Sequence, residues 1–194
     1  MHIEIRADNT AHISGYVNAV ERESRPVITP HGRVVEKIRQ GAFADALTRA
    51  GNLRLTVDHT EKVVADTGSG TMRLAEDAIG LRSEVTVTDP EVVAAARQKR
   101  IRGWSFGMLR VEDEVEQRAG ALPLRIIRKM DMDHITLVIR KTPVYAATSV
   151  EVRAGADVET ETRSFDTEVT VTECRPDFSG YETRIKNLEL PKGK

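Results

Sequence analysis

The amino-acid sequence predicts an α+β domain dominated by β-strands, arranged as a barrel or a sandwich and containing two helices. Short segments in which apolar and polar residues alternate recur through most of the chain, as half-buried strands require. Turn residues separate these segments at short intervals, and only two segments have the composition of helices. With 194 residues the chain is long enough to bury a core of ordinary size.

The first half of the chain has the pattern of strands around one short helix. Alternation predicts strands over residues 2–6, 12–20 and 53–57, and a hairpin that joins 71–74 to 81–87. Residues 22–33 contain two prolines and a glycine and are expected to form a loop. A short helix is predicted over residues 41–50, since Gly51 stands just past its end.

The second half begins with the clearest helix of the chain. Asp89-Pro90 has the composition of an N-cap followed by a first-turn proline, helix formers occupy residues 91–102, and Gly103 suits the C-terminal end. Strands are then predicted over residues 104–111, 122–132, 135–139 and 148–153. Two helices among so many short strands favour the β-rich α+β class.

The composition changes after Arg153. Residues 154–194 hold nine acidic and six basic side chains and few apolar ones, although residues 168–172 have the pattern of a strand. We therefore predict a compact domain over residues 1–153 and an acidic, partly ordered tail over residues 154–194.

Charge and cysteine content exclude several classes of protein. With 29 basic and 30 acidic residues the net charge is -1, which removes the main argument for a nucleic-acid partner. The single cysteine, Cys174, excludes an intramolecular disulfide and a multi-cysteine zinc site, and we expect no cofactor and no metal. No apolar run approaches the roughly 18 residues of a membrane helix. Because the N-terminal strand also lacks the apolar core of a signal peptide, a cytoplasmic location without membrane contact is expected.

Three short motifs suggest chemistry and have simpler explanations. Gly103-Trp104-Ser105-Phe106-Gly107 fits the G-x-S-x-G nucleophile elbow, but the predicted helix precedes the serine and the strand follows it, the reverse of that motif. Asp66-Thr67-Gly68 fits the loop of aspartic proteases, of which two copies must meet, so this alternative requires a dimer. Gly68-Ser69-Gly70 lacks the lysine that follows the glycines of a phosphate-binding loop.

Two histidines and a serine form a stronger candidate site. His59 ends a predicted strand, Ser105 begins one and His134 begins another, so a barrel would allow the three to meet. A serine hydroxyl is a weak nucleophile that needs a base such as histidine, and the base needs a partner that fixes its tautomer. Each residue also fits an ordinary polar position at a strand end, so the pattern alone leaves both interpretations open.

Several segments in a fixed order carry a family resemblance. They are Ser14-Gly15-Tyr16-Val17, Gly41-Ala42-Phe43, Val57-Asp58-His59, Leu74–Leu81, Ser105-Phe106-Gly107, Ile135–Val138 and Pro143–Thr148. Over most of residues 12–153 the chain resembles the prohead proteases of tailed phages, which process capsid components during head maturation. That family is similar in fold to the herpesvirus maturation proteases, so the resemblance implies a herpesvirus-protease-like β-barrel with two or three flanking helices.

The resemblance implies a serine endopeptidase with a role for each candidate residue. Ser105 would attack the scissile carbonyl, His59 would act as the base, and His134 would orient His59. Asp133 is the alternative third member, because this family more often has an acidic residue near this position, and Asp131 is a further choice if the register is shifted. Since neighbours on a strand point to opposite faces, only one of His134 and Asp133 can face His59.

The resemblance also implies partners and a place of action. Arg140 and Lys141 would stabilise the oxyanion, and the substrates would be scaffold and major capsid proteins, together with the chain itself. The chain would form a homodimer inside the assembling procapsid in the host cytoplasm, with no cofactor, nucleic acid or membrane involved. An inactive assembly or scaffold protein of the procapsid is the main alternative, and a dimeric aspartic protease is a less favoured one.

Overall fold

The computed structural model describes residues 1–29, 32–139, 150–151, 160–166 and 168–174. The elements as far as residue 87 are β1 His2–Ile5, β2 Ala11–Ala19, β3 Val27–Thr29, β4 Gly32–Ile38, α1 Ala42–Arg49, β5 Arg54–Val57, β6 Val63–Asp66, β7 Met72–Glu76 and β8 Gly80–Val87. The later elements are α2 Pro90–Arg97, β9 Gly103–Glu116, β10 Leu124–Val138, β11 Val150–Glu151, β12 Thr160–Asp166 and β13 Thr170–Glu173. Over these residues the α+β class, mostly strands with two helices, is confirmed.

The described strands form two sheets. One has five strands in the order β13-β1-β2-β8-β7, and the other follows the path β11-β12-β9-β10-β4-β3. In the second sheet the long strand β10 pairs in parallel with β4 along its first half and with β5 along its second half, and β6 pairs with β5. Neither sheet closes on itself over the described residues, so the expected closed barrel is not confirmed.

Both sheets and both helices contribute to one continuous hydrophobic core. Trp104, Phe106 and Met108 alternate along β9 and are among its largest fully buried side chains. Phe43 of α1 meets Phe106 edge to face, with ring centres 5.4 Å apart. Because these alternate residues of β9 pack in the core, Ser105 between them points to the opposite face of the strand.

Two predicted interruptions of the strand pattern are wrong. Part of the expected loop 22–33 forms the antiparallel hairpin β3–β4, and Pro26 stands just before β3, outside the ladder. The strands predicted over 122–132 and 135–139 are one continuous strand, β10, because shifts in its register with β9 accommodate the polar residues between them. His134 therefore lies inside a long strand rather than at the start of a short one.

Two of the described strands come from the region predicted as a tail. β12 pairs antiparallel with β9, and β13 pairs in parallel with β1. Residues beyond 153 thus add a strand to each of the two sheets. The boundary at residue 153 itself stays a prediction.

The second helix, α2, begins at an aspartate cap, as the sequence predicts. Asp89 Oδ1 accepts hydrogen bonds from the backbone N–H groups of Glu91 at 3.0 Å and Val92 at 3.1 Å. The helix ends at Arg97 and not at 102, since Lys99 already has a left-handed backbone with φ of 53°. Within the described ranges, no helix has the length and apolar character that a membrane span requires.

Removal of this cap has a predictable effect on stability. Asp89→Ala deletes the acceptor of two backbone donors, so we expect the free energy of unfolding to fall by about 1 kcal/mol. Urea unfolding followed by circular dichroism measures this change. Glu84→Ala, which alters a half-exposed carboxylate on β8, is the control. An equal loss in both variants would contradict the capping role.

Candidate active site

His59 is held in place by a tight turn that follows β5. Asp58 and His59 both adopt the left-handed backbone region, with φ of 48° and 59°, which residues other than glycine rarely occupy. The Asp58 N–H donates to the Leu137 carbonyl at 2.9 Å, and its carboxylate accepts the Ile139 N–H at 2.7 Å. The His59 N–H donates to Thr136 Oγ1 at 3.1 Å. Residues in and just after β10 therefore stabilise an unfavourable turn and fix His59 beside the sheet.

A chain of hydrogen bonds joins His59, His134 and Asp133. His59 Nδ1 lies 3.0 Å from His134 Nε2, and His134 Nδ1 lies 2.7 Å from Asp133 Oδ2. The two rings meet edge to face, with centres 5.3 Å apart. His134 is buried, whereas His59 and Asp133 are partly exposed. The series of hydrogen bonds therefore runs from the Asp133 carboxylate, through the buried His134 ring, to the partly exposed His59 ring.

The hydrogen-bond partners of the two histidines indicate which ring nitrogens carry protons. An ionised carboxylate can only accept, so a neutral His134 carries its proton on Nδ1 and leaves Nε2 as an acceptor. In this tautomer His59 donates from Nδ1 to His134 Nε2, so the Nε2 of a neutral His59 carries no proton. An unprotonated imidazole nitrogen can act as a general base toward a hydroxyl group.

A β-bulge brings Asp133 to the His134 ring. The register between β9 and β10 shifts between Met132 and His134, so Asp133 is an extra residue in β10. Of the two neighbours it is His134 that faces His59, and Asp133 contacts the far nitrogen of the His134 ring. His134 and Asp133, the two candidates for the third member of the triad, therefore both belong to the hydrogen-bonded arrangement: His134 contacts His59, and Asp133 contacts His134.

Ser105 lies on β9 directly opposite Thr136 of β10. Opposed residues of an antiparallel pair share a face of the sheet, and so do Thr136 and His134, which are two residues apart. The face that carries Ser105, Thr136 and His134 is opposite to the one that packs Trp104 into the core. The motif Gly103–Gly107 runs straight along β9 and forms no strand-to-helix elbow.

The Ser105 hydroxyl is fully buried and bound by another strand. Its Oγ donates to the Arg163 carbonyl of β12 at 2.7 Å. The structure therefore brings His59 and His134 into contact and places Ser105 on the same face. Among the described residues, however, the serine donates to Arg163, so the bond from Ser105 to His59 that a triad requires is not formed.

The other residues considered for the site have different surroundings. Asp131 forms ion pairs with Arg49 at 3.0 Å and with Arg110 at 2.6 Å. These bonds hold its carboxylate at the surface beside β10. Arg140 and Lys141, predicted to stabilise the oxyanion, lie outside the described residues.

Sequence analysis missed two residues that position His59. Thr136 accepts the His59 N–H, and Asp58 ties the turn to the end of β10. An aspartate directly before a histidine at a strand end is typical of a tight turn, and this signal could have identified Asp58. Nothing in the pattern of β10 distinguishes Thr136 from an ordinary strand residue.

The motif Asp66-Thr67-Gly68 forms the turn between β6 and β7. The Asp66 carboxylate accepts hydrogen bonds from the Ser69 N–H at 2.8 Å and the Ser69 hydroxyl at 3.0 Å, and these bonds lower the pKa of Asp66. The Gly68 N–H donates to Asn52 Oδ1 at 2.7 Å. A carboxylate that closes its own turn explains this motif without catalysis.

A buried ion cluster links β12 to the rest of the second sheet. It consists of Glu36 on β4, Arg125 on β10, and Glu161 and Arg163 on β12, and the side chains are at most 11% exposed. Arg125 donates to Glu36 at 2.8 Å and to both oxygens of Glu161 at 2.6 and 2.8 Å. Arg163 donates to the same two carboxylates. The four side chains therefore hold β12 in place by mutual charge pairing.

Glu161 and Arg125 of this cluster each favour the charged form of the other. Burial alone would raise the pKa of Glu161, but hydrogen bonding to Arg125 and the charges of Arg163 and Arg125 outweigh it and hold that pKa below its usual range. Burial alone would lower the pKa of Arg125, but its bond to Glu161 and the nearby carboxylates raise it instead. The sequence signal for this cluster was an arginine inside the apolar run 124–127.

A serine that shares a sheet face with a hydrogen-bonded pair of histidines has the residue types of a serine peptidase site. The family described as caudovirus prohead serine protease matches residues 1–163, and the chain belongs to that family. No curated protein and no solved structure matches the chain significantly.

Membership of the family establishes the general activity. The chain is a serine protease of the phage prohead type, and such an enzyme acts on capsid-related proteins within the procapsid in the host cell.

Proposed function

We propose that this protease cleaves scaffold and major capsid proteins, and its own C-terminal region, during phage head maturation. Ser105 is the proposed nucleophile, His59 the base, and His134 the residue that orients the base, with Asp133 behind it. The observation that carries this proposal is the hydrogen-bonded chain from Asp133 through His134 to His59, on the sheet face that also holds Ser105.

The proposed reaction begins with transfer of the acyl group to the enzyme. Ser105 Oγ attacks the scissile carbonyl carbon while His59 Nε2 takes the hydroxyl proton. The carbon–nitrogen bond then breaks, and the same proton passes from His59 to the leaving amine. The acyl half of the substrate stays on Ser105 as an ester.

Water completes the reaction. A water molecule attacks the ester carbon, His59 takes a proton from it, and that proton returns to Ser105 Oγ as the ester bond breaks. While His59 is protonated, its Nδ1–H donates to His134, and the Asp133 carboxylate offsets the positive charge. Proton transfer by a positioned base contributes roughly 10²–10⁴-fold to such a rate.

Further proposals follow from the family resemblance. Donors near Arg140 and Lys141 would stabilise the oxyanion, a role usually filled by backbone N–H groups or a cation. We also propose a homodimer and a fold similar to that of the herpesvirus maturation proteases. The predominance of strands and the presence of two helices among the described residues support the proposed similarity of fold.

Co-expression with a phage scaffold or major capsid protein tests the proposed function. The wild-type chain is expected to process its partner, and His59→Ala is expected to lower the rate about 10²–10⁴-fold because the base is lost. His12→Ala is the matched control, since His12 lies on the first sheet and contacts Thr86. Equal processing by wild type and His59→Ala would contradict the proposal.

The same assay separates the two alternative functions. An inactive assembly protein would leave the partner uncut even with the wild-type chain. A dimeric aspartic protease would be inhibited by pepstatin and inactivated by Asp66→Asn, whereas the serine mechanism predicts that neither treatment slows cleavage.

Asp133→Asn tests the far end of the hydrogen-bonded chain. An amide can donate to His134 Nδ1, which moves the His134 proton to Nε2 and removes the acceptor for His59. We expect kcat to fall by about 10–100-fold with little change in KM, because Asp133 acts only through His134. Asp131→Asn, two residues away on the surface, is expected to keep the wild-type kcat. Full activity of Asp133→Asn would show that the hydrogen bonds from Asp133 through His134 to His59 do not contribute to catalysis.

A further inference from the structure

Strand β12 lies across the candidate nucleophile. It pairs antiparallel with β9, with Ser164 opposite Ser105 and Arg163 opposite Phe106. The Ser105 hydroxyl contacts the carbonyl oxygen of the peptide bond between Arg163 and Ser164 at 2.7 Å. Addition of an extended strand to a sheet edge is also a common way for proteins to bind peptides.

Two side chains of β12 are bound by residues of other strands. Arg163, directly before that peptide bond, donates to both oxygens of Glu36. Glu161, two residues earlier, accepts two hydrogen bonds from Arg125. Glu36 and Arg125 lie on β4 and β10, so an acidic and a basic partner for peptide side chains are built into the sheet beside β9.

We propose that the edge of β9 is the substrate groove of the protease, and that β12 occupies this groove as a substrate-like strand in the resting chain. The groove takes an extended peptide with a basic residue directly before the scissile bond and an acidic residue two positions earlier. Glu36 selects the basic side chain and Arg125 selects the acidic one. This inference rests on the proposed role of Ser105 as the nucleophile.

While β12 is in place, its contact with Ser105 also keeps this serine from acting as a nucleophile. A hydroxyl that donates its proton to a carbonyl oxygen is not donating it to His59, so the nucleophile is not activated. A peptide from another protein can pair with this edge of β9 only after β12 has left, since one strand edge accepts one partner. Departure of β12 requires that the ion cluster break, so the cluster controls access to the groove.

Labelling of the full-length chain with a fluorophosphonate, a probe that reacts with activated serines, tests the occupancy of the groove. The double variant Glu161→Ala, Arg163→Ala removes one charge of each sign from β12, and we expect Ser105 to be labelled about 10-fold faster or more. Arg97→Ala, Glu173→Ala is the matched control, because it removes an exposed ion pair between α2 and β13. The control is expected to react at the wild-type rate.

Two heptapeptides test the selectivity of the groove. One has the sequence of residues 160–166, Thr-Glu-Thr-Arg-Ser-Phe-Asp, and the other has its glutamate and arginine exchanged. With the Glu161→Ala, Arg163→Ala enzyme, the first peptide is expected to be cut between arginine and serine about 30-fold faster than the second, because the exchange sets like charges against Glu36 and Arg125. Mass spectrometry of the products locates the cut.

Each outcome bears on a different claim. Equal labelling of wild type and the β12 variant would overturn occupancy of the groove while leaving Ser105 as the nucleophile. Equal cleavage of the two peptides would overturn the roles of Glu36 and Arg125. If no form of the chain reacts with the probe, the proposed nucleophile is wrong and this inference falls with it.

Discussion

Ser105→Ala is expected to abolish proteolysis, with kcat lowered by about 10⁴–10⁶-fold. Without the hydroxyl no acyl ester can form, and only binding and charge stabilisation remain to assist attack by water. Loss of one oxygen leaves β9 and its neighbours packed, so the fold should survive. Initial rates of capsid-protein cleavage measure the effect, and circular dichroism checks the fold.

Ser83→Ala provides the matched control for this substitution. Ser83 on β8 is as buried as Ser105, and its hydroxyl has no hydrogen-bond partner among the described residues. Its removal should therefore leave activity at the wild-type level and should not reduce stability. Substantial cleavage by Ser105→Ala would place the nucleophile elsewhere in the chain.

Arg125→Met is expected to cause the largest loss of stability, about 3–5 kcal/mol. Methionine fills much of the same volume but leaves the buried carboxylates of Glu36 and Glu161 with Arg163 as their one basic partner among the described residues. Asp113, which also pairs with Arg125, loses its partner as well. Urea unfolding gives the free energy of unfolding for the variant and the wild type.

Arg118→Met is the control that shows whether the loss of stability in Arg125→Met comes from the burial of its ion pairs. Arg118 pairs with Glu23 at the surface, at 2.7 Å, and its removal should change stability little. A similarly small loss in Arg125→Met would show that the ion cluster contributes no more than an ordinary surface pair.

The ion cluster also sets the response of stability to acid. Because the pKa of Glu161 is lower in the folded chain than in the unfolded chain, this carboxylate stabilises the fold fully above its unfolded pKa of about 4.3. That contribution is lost as the pH falls through the folded pKa. The difference in stability between wild type and Arg125→Met should therefore narrow as the pH falls below about 4.3, because the wild type then loses the contribution of the Glu161 carboxylate.

Elements with one buried face could be predicted from the sequence. In β2 and in the hairpin β7–β8, alternation marks the buried positions, and the strands lie within two residues of the predicted ranges. The start of α2 was equally clear, because an aspartate and a proline directly before a run of helix formers are typical of a helix N-terminus. The contact between His59 and His134 was predicted from the resemblance, which supplied their order in the chain, and their roles stay a proposal.

Features that depend on contacts distant in sequence could not be predicted. The bulge at Asp133 exists only in the pairing of β10 with β9, so alternation within β10 alone did not show that Asp133 could support His134. β12 was assigned to a tail because residues 154–194 have few apolar side chains and an excess of acidic ones, and the glutamate and arginine of β12 belong to this charged region. They are buried only because Glu36 and Arg125, far away in sequence, pair with them.

The position of a covalent adduct is the most direct test of the proposed roles of Ser105 and His59. After prolonged exposure of the full-length chain to a fluorophosphonate, peptide mapping by mass spectrometry should locate the adduct on Ser105 in wild type. His59→Ala should lose that adduct, and His12→Ala should keep it. An adduct on any other serine, or an undiminished adduct on Ser105 in His59→Ala, would contradict the proposed mechanism.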